Sequence, residues 1–179
     1  MSFFQDKVVW ITGASSGLGE GLAKEFAENK AKLILSARRE SELERVKKDC
    51  AKFIPEENIL VLPLDVTELS TINSEIQKVI QKFGRIDILV NNAGLYEEEP
   101  FDLLTFESWQ KMLSSNLNGL FLMSKAVLPS MKSHNFGRII NMSSNTIWLG
   151  TPYLVRYQTG KMGINGLTRS LGREVGQFG

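Results

Sequence analysis

The sequence predicts an α/β fold: a parallel β-sheet with a layer of helices on each face. Three observations predict it. Five short apolar runs recur along the 179 residues, each continuous rather than alternating, as strands buried on both faces read. A segment of helical periodicity follows every run. Nothing between the runs reads as a hairpin turn.

The elements follow in order. The first run, VVWI (8–11), precedes a helix in which Leu18, Leu22 and Phe26 repeat every four residues as an apolar stripe. The second, LIL (33–35), precedes a helix that places Leu43, Val46 and Cys50 on one face. The third, ILVL (59–62), leads to Ile72, Ile76, Val79 and Phe83, stopped by Gly84. After the fourth, ILV (88–90), a long helical pattern over 106–133 carries Trp109, Leu113, Asn116, Leu120 and Val127 on one stripe. The fifth, RIINM (138–142), is followed by a last helix over roughly 153–177, after Pro152. Right-handed crossovers between such units favour a doubly wound, Rossmann-like, three-layer αβα arrangement. With no linker, repeat or low-complexity stretch, residues 1–179 are expected to form one domain.

Composition narrows the function. An apolar content of 42%, a charged content of 23% and a formal net charge of +1 are those of an ordinary globular chain. No basic surface points to nucleic acid. No apolar run approaches a bilayer span, and the start lacks the order of a signal peptide, so the expected location is the cytoplasm. Cys50 is the only cysteine and reads as a small buried hydrophobe. His134 is the only histidine and falls near a helix end; one His and one Cys do not make a zinc site. The acidic run Glu97, Glu98 and Glu99 reads as a solvated loop without a role.

In a sheet of this kind ligands sit at the carboxyl ends of the strands. Those ends read TGASSGLG, SARRE, LDVT, NNAG and NMSS, all polar or glycine-containing. The first fits neither of two common phosphate motifs. A P-loop would need a Lys that is absent, and GxGxxG fails because Leu22 stands where the third glycine belongs. The spacing from Thr12 and Gly13 to Gly17 and Gly19 can still do the same physical work. Glycine lets backbone approach a pyrophosphate, and a helix N-terminus offers unpaired N–H groups and positive potential. Ser15 and Ser16 add hydroxyl donors.

Chemistry points to the start of the last helix. Tyr157 and Lys161 are four residues apart and share a helical face. A nearby ammonium favours phenolate, which makes the pair a proton donor and acceptor tuned toward neutral pH. A strand-end serine can hydrogen-bond a carbonyl oxygen or the alkoxide forming from it. Ser143 and Ser144 both qualify, and strand alternation favours Ser144. Asn116 is an amide inside an apolar stripe, which costs free energy unless its hydrogen bonds are met. It is either a site residue or a buried structural amide.

Together these motifs resemble the short-chain dehydrogenase/reductase family, in particular its NADP-dependent carbonyl and 3-oxoacyl reductase-like members. TGxxxGxG matches the family's cofactor loop, NNAG its second signature, and Asp65 with Val66 its adenine-contacting position. The thirteen residues from Ser144 to Tyr157 match the family's spacing. The resemblance implies hydride transfer between a nicotinamide cofactor and a carbonyl or secondary alcohol. Catalytic roles then fall to Asn116, Ser144, Tyr157 and Lys161, with Lys161 and Tyr157 also on the nicotinamide ribose. Cofactor contacts fall to Gly13, Ser15, Ser16, Gly17, Leu18, Gly19, Arg38, Asp65, Val66, Asn92, Ala93 and Gly94. Homo-oligomers, dimers or tetramers, are implied through the fourth and fifth long helices.

After the second strand, NAD-binding sheets place an acid on the ribose 2′-hydroxyl; here Ala37 is followed by Arg38 and Arg39. Guanidinium in place of carboxylate favours a 2′-phosphate, hence NADP(H) over NAD(H). Two departures from the family stand out. Gly160 occupies a position where Ser or Ala is usual. The chain also ends after the helix that follows the fifth strand, where the family continues into a sixth strand and a substrate loop. The fifth strand is therefore expected as an exposed edge. An alternative reading is an NADP(H)-binding module without turnover. Trp148, Leu149 and Tyr153, beside Ser144, are expected in a substrate pocket, the core or an interface.

Overall fold

In the computed structural model, which describes residues 2–179, five strands form one parallel sheet. They are β1 (Val8–Thr12), β2 (Lys32–Ala37), β3 (Ile59–Pro63), β4 (Ile88–Asn91) and β5 (Arg138–Asn141). Their order is β3-β2-β1-β4-β5, so the winding reverses between β1 and β4. At that reversal the loops leaving the two strands diverge and open a crevice.

Alternation along β1 divides the core. Val9 and Ile11 pack with Ala23, Phe26 and Ala27 of α1 (Gly17–Glu28) and Leu43, Val46 and Cys50 of α2 (Glu40–Cys50). Val8 and Trp10 face the other way, onto Ile72 and Val79 of α3 (Leu69–Phe83) and onto a long helical segment that follows β4. Trp10 is fully buried, and its indole Nε1 donates to Ser36 Oγ at 2.8 Å, which satisfies the one polar group the ring brings inside. Cys50 is buried as expected, and burial pushes its thiol up to about 11.

Two expectations are corrected. Leu18 does not join the apolar stripe of α1 but is 70% exposed. It stands on the first helical turn, next to the carboxyl ends of the strands, and the core contacts of α1 come from Ala23, Phe26 and Ala27 further along. The long helix over 106–133 is interrupted: α4 (Phe106–Leu113) and α5 (Gly119–Ser133) flank a π-helical turn over Ser114–Asn118. Asn116 lies at the centre of that turn, a local widening often found at functional sites. The exposed edge expected at the fifth strand is present in β5. It pairs only with β4, and Ile140 is 43% exposed.

A short helix α6 (Thr146–Leu149) and the last helix α7 (Val155–Val175) complete the chain, with α7 packed on α4 and the π-turn. His134 lies exposed at the C-terminal end of α5. Among the described residues, no helix is long and apolar enough to cross a membrane, and no cluster of three His, Cys, Asp or Glu side chains suits a metal.

Candidate active site

The opening glycines have separable reasons. Gly13 and Gly17 have φ of +67° and +57°, the left-handed region in which a side chain is strained. Around Gly17 a Cβ would meet nothing within 4 Å; conformation alone requires glycine there. Gly19 has ordinary backbone but no room, since a Cβ would collide with the Gly13 carbonyl. Gly19 is thus packed beneath the loop, and neither it nor Leu18 lines the crevice. Gly21 faces open space.

The loop after β4 locks this turn in place. Thr12 Oγ1 accepts from the backbone N–H groups of Asn92 and Ala93 at 3.0 and 3.1 Å. Asn92 Nδ2 donates back to the Thr12 carbonyl at 3.1 Å. Ser16, the residue before α1, does not cap its own helix; its hydroxyl instead accepts from Arg39 at 3.2 Å, as Ser15 Oγ does at 3.3 Å. The first turn of α1 therefore has no side-chain cap.

The crevice is a cavity of about 530 Å³ over the strand ends. Gly13, Ser15 and Ser16 line it from the first loop, Arg38 and Arg39 from the second, Asp65 and Val66 from the third, and Asn92, Ala93 and Gly94 from the fourth. Lys111, Ser114 and Ser115 close it from the helical side, and no sequence motif marked them. Asp65 shapes its own loop, accepting from the Thr67 N–H and hydroxyl at 2.9 and 2.8 Å. Arg39 rather than Arg38 makes the hydrogen bonds to the glycine loop, a distinction that two adjacent arginines do not reveal in a sequence.

Gly94 joins the crevice to Asn116 and Lys161. A Cβ on it would lie 2.5 Å from Asn116 Oδ1 and 3.8 Å from Lys161 Nζ. Asn116 Oδ1 accepts from the Leu95 N–H at 2.8 Å and its Nδ2 donates to the Leu95 carbonyl at 2.9 Å, so this buried amide holds the loop after β4. Lys161 is buried, donates to the Met142 carbonyl at 2.7 Å, and lies 5.7 Å from the centre of the Tyr157 ring. Burial holds its ammonium below the usual lysine range. The Tyr157 ring meets Tyr96 edge to face, with centroids 5.1 Å apart.

The two serines lie beyond the end of β5 and turn to different partners. Ser143 Oγ donates to the Lys161 carbonyl at 3.1 Å, whereas Ser144 Oγ is 2.9 Å from Thr146 Oγ1. Ser144 is therefore the hydroxyl not spent on the α7 backbone. Trp148, Leu149 and Tyr153 are 76%, 69% and 56% exposed, so they belong to no core and no closed pocket. The acidic run is corrected too. Glu97 and Glu99 place carboxylate oxygens 3.2 and 3.0 Å from Nη2 of Arg156, a buried arginine beside Tyr157. Only the opposite signs of the two segments hinted at this in the sequence.

The glycine turn, the hydroxyl and guanidinium lining, and the buried lysine one turn from a tyrosine agree with comparison to known proteins. A model of the short chain dehydrogenase family matches residues 7–179. The chain belongs to that family. Human dehydrogenase/reductase SDR family member 7 is 38% identical over 97% of this chain, which corresponds to 52% of that protein. The 3-oxoacyl-[acyl-carrier-protein] reductase FabG of Escherichia coli is 34% identical over 98% of this chain and 70% of its own length. This short-chain dehydrogenase therefore spans about half the length of the first of these relatives. A metagenomic short-chain oxidoreductase solved in complex with NADP superposes with a TM-score of 0.90 at 28% identity, covering 98% of this chain and 79% of that one. A short-chain dehydrogenase from Bacillus anthracis gives the same TM-score at 35% identity, covering 95% of this chain and 70% of that one. The family is one of oxidoreductases that bind nicotinamide cofactors.

Proposed function

We propose that this chain is the cofactor-binding and proton-transferring unit of an NADP(H)-dependent oxidoreductase acting on a carbonyl or secondary alcohol. One observation carries the reading. Lys161 is a buried lysine with no carboxylate partner among the described residues, one helical turn from Tyr157 and directly beneath Gly94 of the crevice. A lysine serving only stability is rarely buried unpaired, because desolvating the charge is costly. A site that must tune a proton donor has reason to keep one.

The residues present fit a dinucleotide. Gly13 and Gly17 keep the first turn clear of side chains, the uncapped first turn of α1 suits a pyrophosphate, and Arg38 and Arg39 suit a 2′-phosphate. Asp65 and Val66, which line the crevice, would contact the adenine as the family resemblance implies. When bound, the nicotinamide supplies or takes up the hydride. The protein's residues do the rest. Tyr157 Oη gives its proton to the substrate oxygen during reduction and takes it back during oxidation. Ser144 Oγ exchanges Thr146 for that oxygen and holds the charge developing on it. The Lys161 ammonium stabilises the phenolate left on Tyr157, and Asn116 keeps the loop after β4 in place. Copies of the chain pair through the faces of α4, α5 and α7, where Phe106, Phe121 and Met162 are 73%, 47% and 43% exposed.

Calorimetric titration with NADPH and NADH tests the cofactor. NADPH is expected to bind more tightly, and Arg38→Ala and Arg39→Ala are each expected to remove most of the difference. Equal affinities, unchanged in both variants, would refute the preference. For chemistry, Tyr157→Phe should lower the turnover of a carbonyl panel at saturating NADPH by on the order of 10²-fold or more, while NADPH still binds. A second reading, cofactor binding without turnover, is favoured by the uncovered Trp148, Leu149 and Tyr153 beside Ser144. It predicts NADPH binding with no activity in either form.

A further inference from the structure

The acidic run and its arginine have no part in the chemistry above, yet they lie against it. We propose that Glu97, Glu98, Glu99 and Arg156 form a clamp that positions Tyr157. The inference rests on the reading of Tyr157 as the proton donor and names what orients it.

Arg156 opens α7 immediately before Tyr157, and its side chain is 5% exposed. Nη1 donates to the Ser108 carbonyl of α4 at 3.1 Å, and Nη2 reaches both Glu97 and Glu99. Its Nε is buried without a partner, so the desolvated charge depends on those two carboxylates. The Glu99 N–H also donates to the Tyr153 carbonyl at 2.9 Å, just ahead of α7. The loop after β4 is thus tied to the first turn of α7 by charge and by backbone.

Glu98 points elsewhere. It accepts the Tyr96 hydroxyl at 2.7 Å, fixing the ring that stands edge to face against Tyr157 with an interplanar angle of 77°. The run thus divides its labour, Glu97 and Glu99 reaching Arg156 and Glu98 reaching Tyr96. Two carboxylates set where the loop sits on α7, and the third sets how Tyr96 meets Tyr157. Their target is a ring whose hydroxyl must be placed to within a fraction of an ångström for proton transfer. Glu97, Glu98, Glu99 and Arg156 are positioning residues; none touches the reacting atoms.

The chain has three tyrosines, Tyr96, Tyr153 and Tyr157, so ring-labelled tyrosine NMR gives a spectrum that Tyr→Phe variants assign. The edge-to-face contact makes the ring protons of Tyr157 sensitive to Tyr96, and Tyr96→Leu calibrates that shift. In Glu97→Gln/Glu99→Gln the Tyr157 signals should move at least half of the way to their Tyr96→Leu positions, while Tyr153 stays put. Arg156→Met should do the same, with Arg156→Lys restoring part of the shift. Tyr157 signals unmoved in the double variant, or unmoved in Tyr96→Leu itself, would overturn the clamp. Collapse of all three tyrosines to unfolded positions in both the double variant and Arg156→Met would overturn it as well, leaving a structural staple. None of these readouts needs turnover or bound cofactor, so failure of the oxidoreductase reading, seen as no NADPH binding by the parent chain, is a separate result.

Discussion

Gly160→Ala is expected to stabilise the protein without affecting cofactor binding. Gly160 is buried in the interior of α7, and its φ lies outside the left-handed region. A Cβ there would meet Asn116 Cβ at 3.4 Å and Leu113 Cδ2 at 3.5 Å, ordinary van der Waals distances. Replacing a helical glycine by alanine gains about 1 kcal/mol, largely by restricting the unfolded chain. Burying one methyl group adds up to about 0.8 kcal/mol. The sum, about 1.5 kcal/mol, corresponds to roughly 3–6 °C in Tm for a chain of this size. Urea unfolding should show a higher midpoint with unchanged m-value, and calorimetry an NADPH affinity within about twofold of the parent. The Asn116 hydrogen bonds to Leu95 lie on the amide end of the side chain, away from the new methyl group. A lower midpoint would refute the reasoning, because it would mean that α7 and the π-turn have no space for a methyl group between them.

Other outcomes follow from the same structure. Gly17→Ala should cost about 1–2 kcal/mol from backbone strain alone. Gly19→Ala instead forces the Gly13 carbonyl aside and should reduce NADPH affinity the more strongly of the two, as thermal unfolding and calorimetry on the pair would show. The Lys161 pKa is lowered by burial, so between that value and 10.5 the unfolded chain holds a proton that the folded chain lacks. Stability gains from this group as pH rises through that window. Against Lys161→Met, the parent should therefore gain relative stability between pH 7 and pH 10 in urea titrations. A constant difference would contradict this. With its thiol near 11, Cys50 is thiolate only about one part in a thousand at pH 8 and is buried, so a thiol reagent should label it in urea and not in the native protein.

Much of the fold was legible because it is written in local patterns. Continuous apolar runs mark strands covered on both faces, and β1, β2 and β4 match the runs to within two residues. Gly13 and Gly17 were legible because a left-handed turn admits little else, and Tyr157 and Lys161 because four residues are about one helical turn. Local pattern failed where an outcome depends on what lies opposite. The fifth run resembles the others, but its strand has a neighbour on one side only, and Ile140 is left in the open. Leu18 keeps the period of its helix, yet packing further along α1 decides which residues reach the core. Asn116 stays on the apolar stripe whether the helix is regular or widened, so its π-turn leaves no mark in the periodicity.

The site divides the same way. By itself the sequence determined the residue types at each strand end, the sign of the charge after β2, and the pairing of a tyrosine with a lysine, because each is set within a few residues. Only the tertiary structure decided that Arg39 is the arginine held by Ser15 and Ser16, and that Gly94 sits over both Asn116 and Lys161. Only it turned three solvated-looking glutamates into the partners of Arg156 and Tyr96. Those contacts join positions up to 67 residues apart, from Lys161 back to Gly94. Their strength depends on burial, which no local spacing encodes. The physical reason is that periodicity and backbone preference are properties of a short segment, whereas the worth of a charge is set by whatever the fold packs around it.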